Sequence, residues 1–144
     1  MANTTNFGWE TPDNTDLVKD GALAIRTLAG AIDTSFVGVA INAQTGTTYT
    51  AVLADGLNKV VTMDNASAND FKIPTDASVA FPVGTVLNVY TKGAGTCTIS
   101  AVTSGTTTVT SAGAVAASPT LASKKAASCV KIAANSWIVV GAIA

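Results

Sequence analysis

The hydrophobic pattern of the chain changes period once, near residue 37. Before that point, residues 1–14 hold Asn3, Thr4, Thr5, Asn6, Gly8, Pro12, Asp13 and Asn14, all turn or loop formers, around two large apolar groups, Phe7 and Trp9. An arm this polar has no core of its own. Its two rings must therefore pack back on the next element or anchor the chain to a partner protein. Thr15 is placed to cap a helix, and Asp16 and Asp20 stand where the positive end of the helix dipole favours acids. The spacing predicts a helix over 15–36. Val18, Ile25 and Ile32 recur every seven residues with Leu28 and Gly21 between them, and Ala22, Ala29 and Phe36 widen the stripe. Such a stripe suits either a single amphipathic helix lying on a β-domain or the seam of a three-stranded bundle.

From Val37 onward the period falls to two. Thr47–Ala54 alternates with Tyr49, Ala51 and Leu53 on one face, and Asp55-Gly56 turns the chain toward Lys59–Met63, which predicts a hairpin. Phe71–Ile73 and Val79–Phe81 are short strand patterns stopped by Pro74 and Pro82. Thr85–Thr91, Thr96–Val102 and Thr106–Thr110 follow, separated by Lys92-Gly93-Ala94-Gly95 and Ser104-Gly105, and Ala126–Ile132 with Ser136–Ile143 makes a last hairpin at Ala134-Asn135. Short strands at this spacing predict a mainly β fold, an antiparallel, jelly-roll-like β-sandwich. The expected organisation is an arm over 1–14, a helix for oligomerisation or anchoring over 15–36, and a sandwich domain over 37–144.

Charge sharpens this picture. Asp, Glu, Lys and Arg make up 12% of the chain, about half the usual share of roughly 25%. No charged residue lies between Lys92 and Lys124, or from Thr34 to Ala54. Free-standing sheets usually guard their edges with charges. Their scarcity predicts that sister copies cover much of the surface, and the seam points the same way. A net charge of −1 offers no field for nucleic acid. Mean hydropathy is high at +0.41, but the most apolar stretches, 79–89 and 129–144, fall short of the ~20 residues that span a bilayer. The first residues have neither the cationic nor the apolar part of a signal peptide, so the expected site of synthesis and folding is the cytoplasm.

Candidate chemistry is sparse. With no histidine, Ser-His-Asp and Cys-His systems and His-ligated zinc are excluded. Asp55, Asp64, Asp70 and Asp76 fall in turn-like positions; a small hydrolase would need two of them about 5–10 Å apart in a cleft. The glycines lack the context of a phosphate loop. Cys97 and Cys129, in separate strand patterns, read as free, buried thiols. Tyr49, Tyr90 and Trp137 read as core, or alternatively as a platform for stacking sugars. No catalytic residue, metal or cofactor is expected.

The run Trp9-x-x-Pro12-x-x-Thr15-Asp16-x-Val18-Lys19-Asp20-Gly21-Ala22-x-Ala24-Ile25-Arg26-x-Leu28, closing at Ile32-Asp33, resembles a segment near the N-termini of phage tail-fibre and minor virion structural proteins. Leu53-Ala54-Asp55, Phe81-Pro82-Val83-Gly84-Thr85, Lys92-Gly93-Ala94-Gly95 and Trp137-x-x-x-Gly141 are similar to the C-terminal β-domain of such proteins. The resemblance implies a non-enzymatic virion protein, usually trimeric, that touches a capsid, neck or tail protein. At this length it fits a head fibre, a decoration protein or a small tail adaptor. A receptor-binding knob that takes host glycans is the alternative. Phe7 and Trp9 are then the expected anchors, and Val18, Ile25, Leu28 and Ile32 the trimer seam.

Overall fold

A computed structural model describes residues 2–5, 7–11, 17–111 and 118–144. The expected cap at Thr15, with Asp16 beside it, lies outside the described residues. The chain divides into two compact units, Met1–Val39 and Ala40–Ala144.

In the first unit, β1 (Ala2–Asn3) pairs antiparallel with β2 (Glu10–Thr11), where a plain extended arm was expected. A 3-10 turn over Val18–Asp20 leads into α1 (Gly21–Phe36). The α-helix therefore starts later than residue 15, at a position where Asp20 makes no side-chain cap.

The second unit holds two sheets. The strands are β3 (Ala40–Gln44), β4 (Thr48–Thr50), β5 (Lys59–Met63), β6 (Asn69–Ile73), β7 (Val86–Thr91), β8 (Cys97–Ala101), β9 (Thr108–Ser111), β10 (Thr120–Leu121), β11 (Ala126–Ala133) and β12 (Ser136–Gly141). One sheet has the order β3-β5-β7-β11-β12-β9, the other β10-β8-β6-β4. From β3 to β8 the chain thus places alternate strands in alternate sheets, and each strand lies parallel to the one laid down a full circuit earlier. The pairs β3–β5, β5–β7, β4–β6 and β6–β8 are all parallel, as is β9–β12. Within this unit the strand pairs β7–β11, β11–β12 and β8–β10 are antiparallel.

The fold is mainly β, as expected, with one helix among the described residues, but its sheets are mixed, which corrects the antiparallel, jelly-roll-like reading. The expected hairpin of 47–54 with 59–63 does not form: β4 and β5 belong to different sheets, and Leu53–Gly56 is a 3-10 turn between them. Lys92–Gly95 and Ser104-Gly105 likewise carry the chain from one sheet to the other. Val79–Phe81 is not a strand. The closing hairpin forms as expected, with Asn135 taking the positive φ of 49° that its turn requires and that Asn tolerates.

The corners of this winding stack on one another. Asp64 N–H donates to Gln44 O (2.8 Å), Asn65 Nδ2 to Thr45 O (2.7 Å), Gly93 N–H to Met63 O (3.0 Å) and Gly95 N–H to Asn65 O (2.9 Å). A Cβ on Gly93 or Gly95 would run into the backbone of Asn65 or Ser67, so these glycines are required by close approach. Inward side chains of both sheets, among them Met63, Leu87, Cys129, Trp137 and Val139 from one and Phe71, Ile73, Cys97, Ile99 and Leu121 from the other, form one core.

Candidate functional site

The first unit gathers the arm's rings at one end of α1. Phe7 stacks on Trp9 with centroids 4.7 Å apart, and both face Phe36, at 6.5 and 6.4 Å. Trp9 Nε1 donates to Ser35 Oγ at 3.0 Å, and Ser35 Oγ donates in turn to Ala31 O. Of the two expectations for these rings, the structure displays packing on the chain's own helix, with Phe7 still 41% exposed. The rest of the helix is thinly covered: Ala24 is its one buried residue among those described. Ile25 is 63% exposed and Ile32 37%, Leu28 is half-buried, and Val18, in the 3-10 turn before the helix, is 97% exposed. A helix of 16 residues is marginal in water by itself, so this apolar stripe is short of lateral support.

The two sheets present opposite outer faces. Register places Ile41, Val60, Asn88, Ser128 and Val140 in one row across the six-stranded sheet, and Val86, Val130, Ile138 and Thr110 in another. Neither row holds a charge. A shallow groove of about 310 Å³ runs along the first row, lined by Val60, Asn88, Ser128 and Val140 and bordered by Tyr90. The four-stranded sheet instead shows Thr48, Asp70, Thr98 and Thr120 in one row and Thr50, Lys72 and Ser100 in the next.

The four aspartates singled out by sequence each serve a separate polar set. Asp55, fully buried, accepts from Tyr49 Oη (2.7 Å), Asn42 Nδ2 (2.7 Å) and Val52 N–H (2.9 Å), which ties the start of the winding to the turn after β4. Burial, reinforced by the hydrogen bond and charge of Asp55, pushes the Tyr49 phenol up to about 12. Asp64 pairs with Lys92 at 2.8 Å, which raises the lysine through that hydrogen bond, and Asp70 lies 3.6 Å from Lys72. Asp76 binds Lys131 at 2.6 Å.

Lys131 is the residue sequence reasoning passed over. Its side chain is 3% exposed, and its Nζ donates to Asp76 Oδ1 and to Phe81 O, both at 2.6 Å. Asn135 N–H donates to Asp76 Oδ2 (3.0 Å), and Asp76 N–H donates to Asn135 Oδ1 (2.8 Å). Burial of Asp76 works to raise its pKa, but the Lys131 hydrogen bond, the Asn135 amide and the Lys131 charge outweigh it and hold the carboxyl below 3.8. A signal was present: in the alternation Ala127, Cys129, Lys131, the lysine occupies an inward position.

Trp137 is fully buried, with Phe81 edge-on at 5.5 Å, so it is core and cannot form a glycan platform. Tyr49 is engaged by Asp55 and Asn42, and Tyr90 lies on the outer face of the other sheet, so the three rings are not brought together. Cys97 and Cys129 are free and buried, in strands of different sheets, and burial pushes their thiols up to about 11 and about 12, the inert form at neutral pH. Among the described residues no cluster of three or more His, Cys, Asp or Glu could hold a metal ion, and no helix is long and apolar enough to cross a membrane.

No protein family matches the chain, and no curated protein or solved structure does.

Proposed function

We propose that this chain is a non-enzymatic structural protein of a phage virion, a compact homotrimer joined through α1 that displays its β unit, a two-sheet sandwich, on the particle surface. The observation that carries the reading is the uncovered heptad stripe. Val18 is 97% exposed, Ile25 63% and Ile32 37%; full burial of an exposed Val or Ile side chain is worth about 1.5–3 kcal/mol, of which Val18 has the largest share left to gain and Ile32 the smallest. Three copies packed side by side would cover them and supply the support that a 16-residue helix lacks. The charge-free outer face of the six-stranded sheet adds a second surface that solvates poorly and that neighbouring copies would cover. The resemblance of residues 9–33 to the N-terminal segment of phage fibre and minor virion proteins supplies the setting, as a head fibre, decoration protein or small tail adaptor held through the N-terminal unit. The exposed edge of Phe7, beside Phe36 at the C-terminal end of α1, is the contact offered to another virion protein.

The test is Ile25→Asp. It removes the apolar contact and places a carboxylate in the seam, a change of several kcal/mol per chain. Sedimentation analysis should show the trimer reduced to single chains with the β unit still folded. A variant that keeps the parent's mass would show that the stripe does not join the copies.

A further inference from the structure

The outer face of the four-stranded sheet holds a groove of about 520 Å³, within the range of small-ligand sites. Two register pairs make its floor, Asp70 beside Thr98 and Lys72 beside Ser100, and the turn after β8 makes its wall with Ser104 and Thr107. The floor is preorganised. Lys72 Nζ donates to Ser100 Oγ at 2.9 Å and lies 3.6 Å from Asp70 Oδ2, with the two side chains 29% and 40% exposed. One ammonium and one carboxylate leave the groove without net charge. A phosphate or other anion would meet Asp70, and a cation would meet Lys72. Among the described residues no aromatic ring lines the groove, so flat aromatic ligands find no stacking partner there, whereas Val102 offers a short aliphatic strip. What such a surface matches is a compact, uncharged molecule with several hydroxyls and aliphatic C–H groups. A carboxylate accepts from two neighbouring hydroxyls, an ammonium donates to a third oxygen, and Ser and Thr hydroxyls do either.

We infer that this groove binds a neutral saccharide unit, with Asp70 as the acceptor of paired sugar hydroxyls and Lys72 as the donor. The site shares no residue with Tyr49, Tyr90 or Trp137 and does not depend on how the chain assembles. Backbone-amide NMR titration of the full chain with the methyl glycosides of glucose, galactose, mannose and N-acetylglucosamine, and separately with a methyl sialoside as the acidic arm, tests it. At least one neutral glycoside should give saturable shifts at Lys72, Thr98 and Ser100, and the sialoside should not. Asp70→Ala should weaken that binding about tenfold or more, the effect of losing charge-assisted hydrogen bonds. Thr98→Val, which keeps the side chain's shape, should weaken it by a smaller factor. The spectra of both variants report their own folding, so a weakened affinity with an unchanged spectrum locates the site. No saturable shift with any neutral glycoside, preference for the sialoside, or binding unaltered by both substitutions would overturn the inference.

Discussion

Replacing Asp76 by Ala leaves the Lys131 ammonium inside the β unit with one neutral acceptor, the Phe81 carbonyl, and strips the Asn135 N–H of its partner. Removing one member of a buried ion pair typically costs about 3–5 kcal/mol, because the remaining charge is desolvated and uncompensated. Asp76 keeps 26% of its side-chain exposure, so some water reaches the pair and the expected cost is about 2–4 kcal/mol. The reverse truncation should be mild. Lys131→Met retains most of the buried aliphatic volume, and Asp76 remains partly solvated and bonded to Asn135, so roughly 0–1.5 kcal/mol is expected. The double variant Lys131→Met with Asp76→Ala should then lie within about 1 kcal/mol of Lys131→Met alone, since no charge is left to strand. Urea unfolding of the four proteins at one chain concentration measures all three differences, the fixed concentration removing mass-action effects of assembly. Acid gives an independent check. The Asp76 carboxyl is held below 3.8 in the folded state, so its contribution is fully present above that value and is lost as pH falls through the folded pKa. A parent protein that loses stability there, beside an Asp76→Ala variant that loses less, is the expected pair of curves. If Asp76→Ala proves as mild as Lys131→Met, the ammonium escapes to solvent and the clamp does not hold the loop before β7 against the closing hairpin.

Two further predictions probe the winding and its start. Gly95→Ala should destabilise the β unit by about 1–3 kcal/mol or more, read as a lower urea midpoint, because the new Cβ meets the immovable carbonyl of Ser67 at the stacked corner. Tyr49, whose phenol is raised to about 12, contributes stability that is complete below pH 10 and declines as pH rises toward 12. For this half-buried group the loss is roughly 1–2 kcal/mol, and Tyr49→Phe should flatten that alkaline limb.

The legible and illegible parts of this protein divide along physical lines. Helix period and strand alternation are local, so α1, most of the strand positions and the inward sets around Leu87, Ile99 and Trp137 could be read from spacing. Strand direction is not local. Gly93, Gly95 and Asn65 serve equally well in a hairpin turn and in a corner that passes the chain to the opposite sheet, and an inward–outward alternation is the same whichever way the neighbouring strand runs. The antiparallel expectation therefore failed where turn chemistry had to stand in for topology, at β4–β5 and β7–β8, and succeeded at β11–β12, where a two-residue turn with Asn135 leaves no room for a crossover. β3 was missed because Ala40–Gln44 carries one large apolar residue, Ile41, and its inward positions are Asn42 and Gln44, which bond with Tyr49, Asp55 and each other. The polar groove was missed for a related reason. Asp70 and Lys72 alternate as any solvated strand face does, and only register sets Thr98 and Ser100 beside them.

The claim on which the function rests is that copies of the chain cover one another's helix stripe. Sedimentation equilibrium of the purified protein across micromolar dilutions measures it directly. The account predicts a species of about 43 kDa, three chains of 14.3 kDa, that Ile25→Asp converts to single chains. A parent protein that sediments as one 14.3 kDa chain throughout would contradict it.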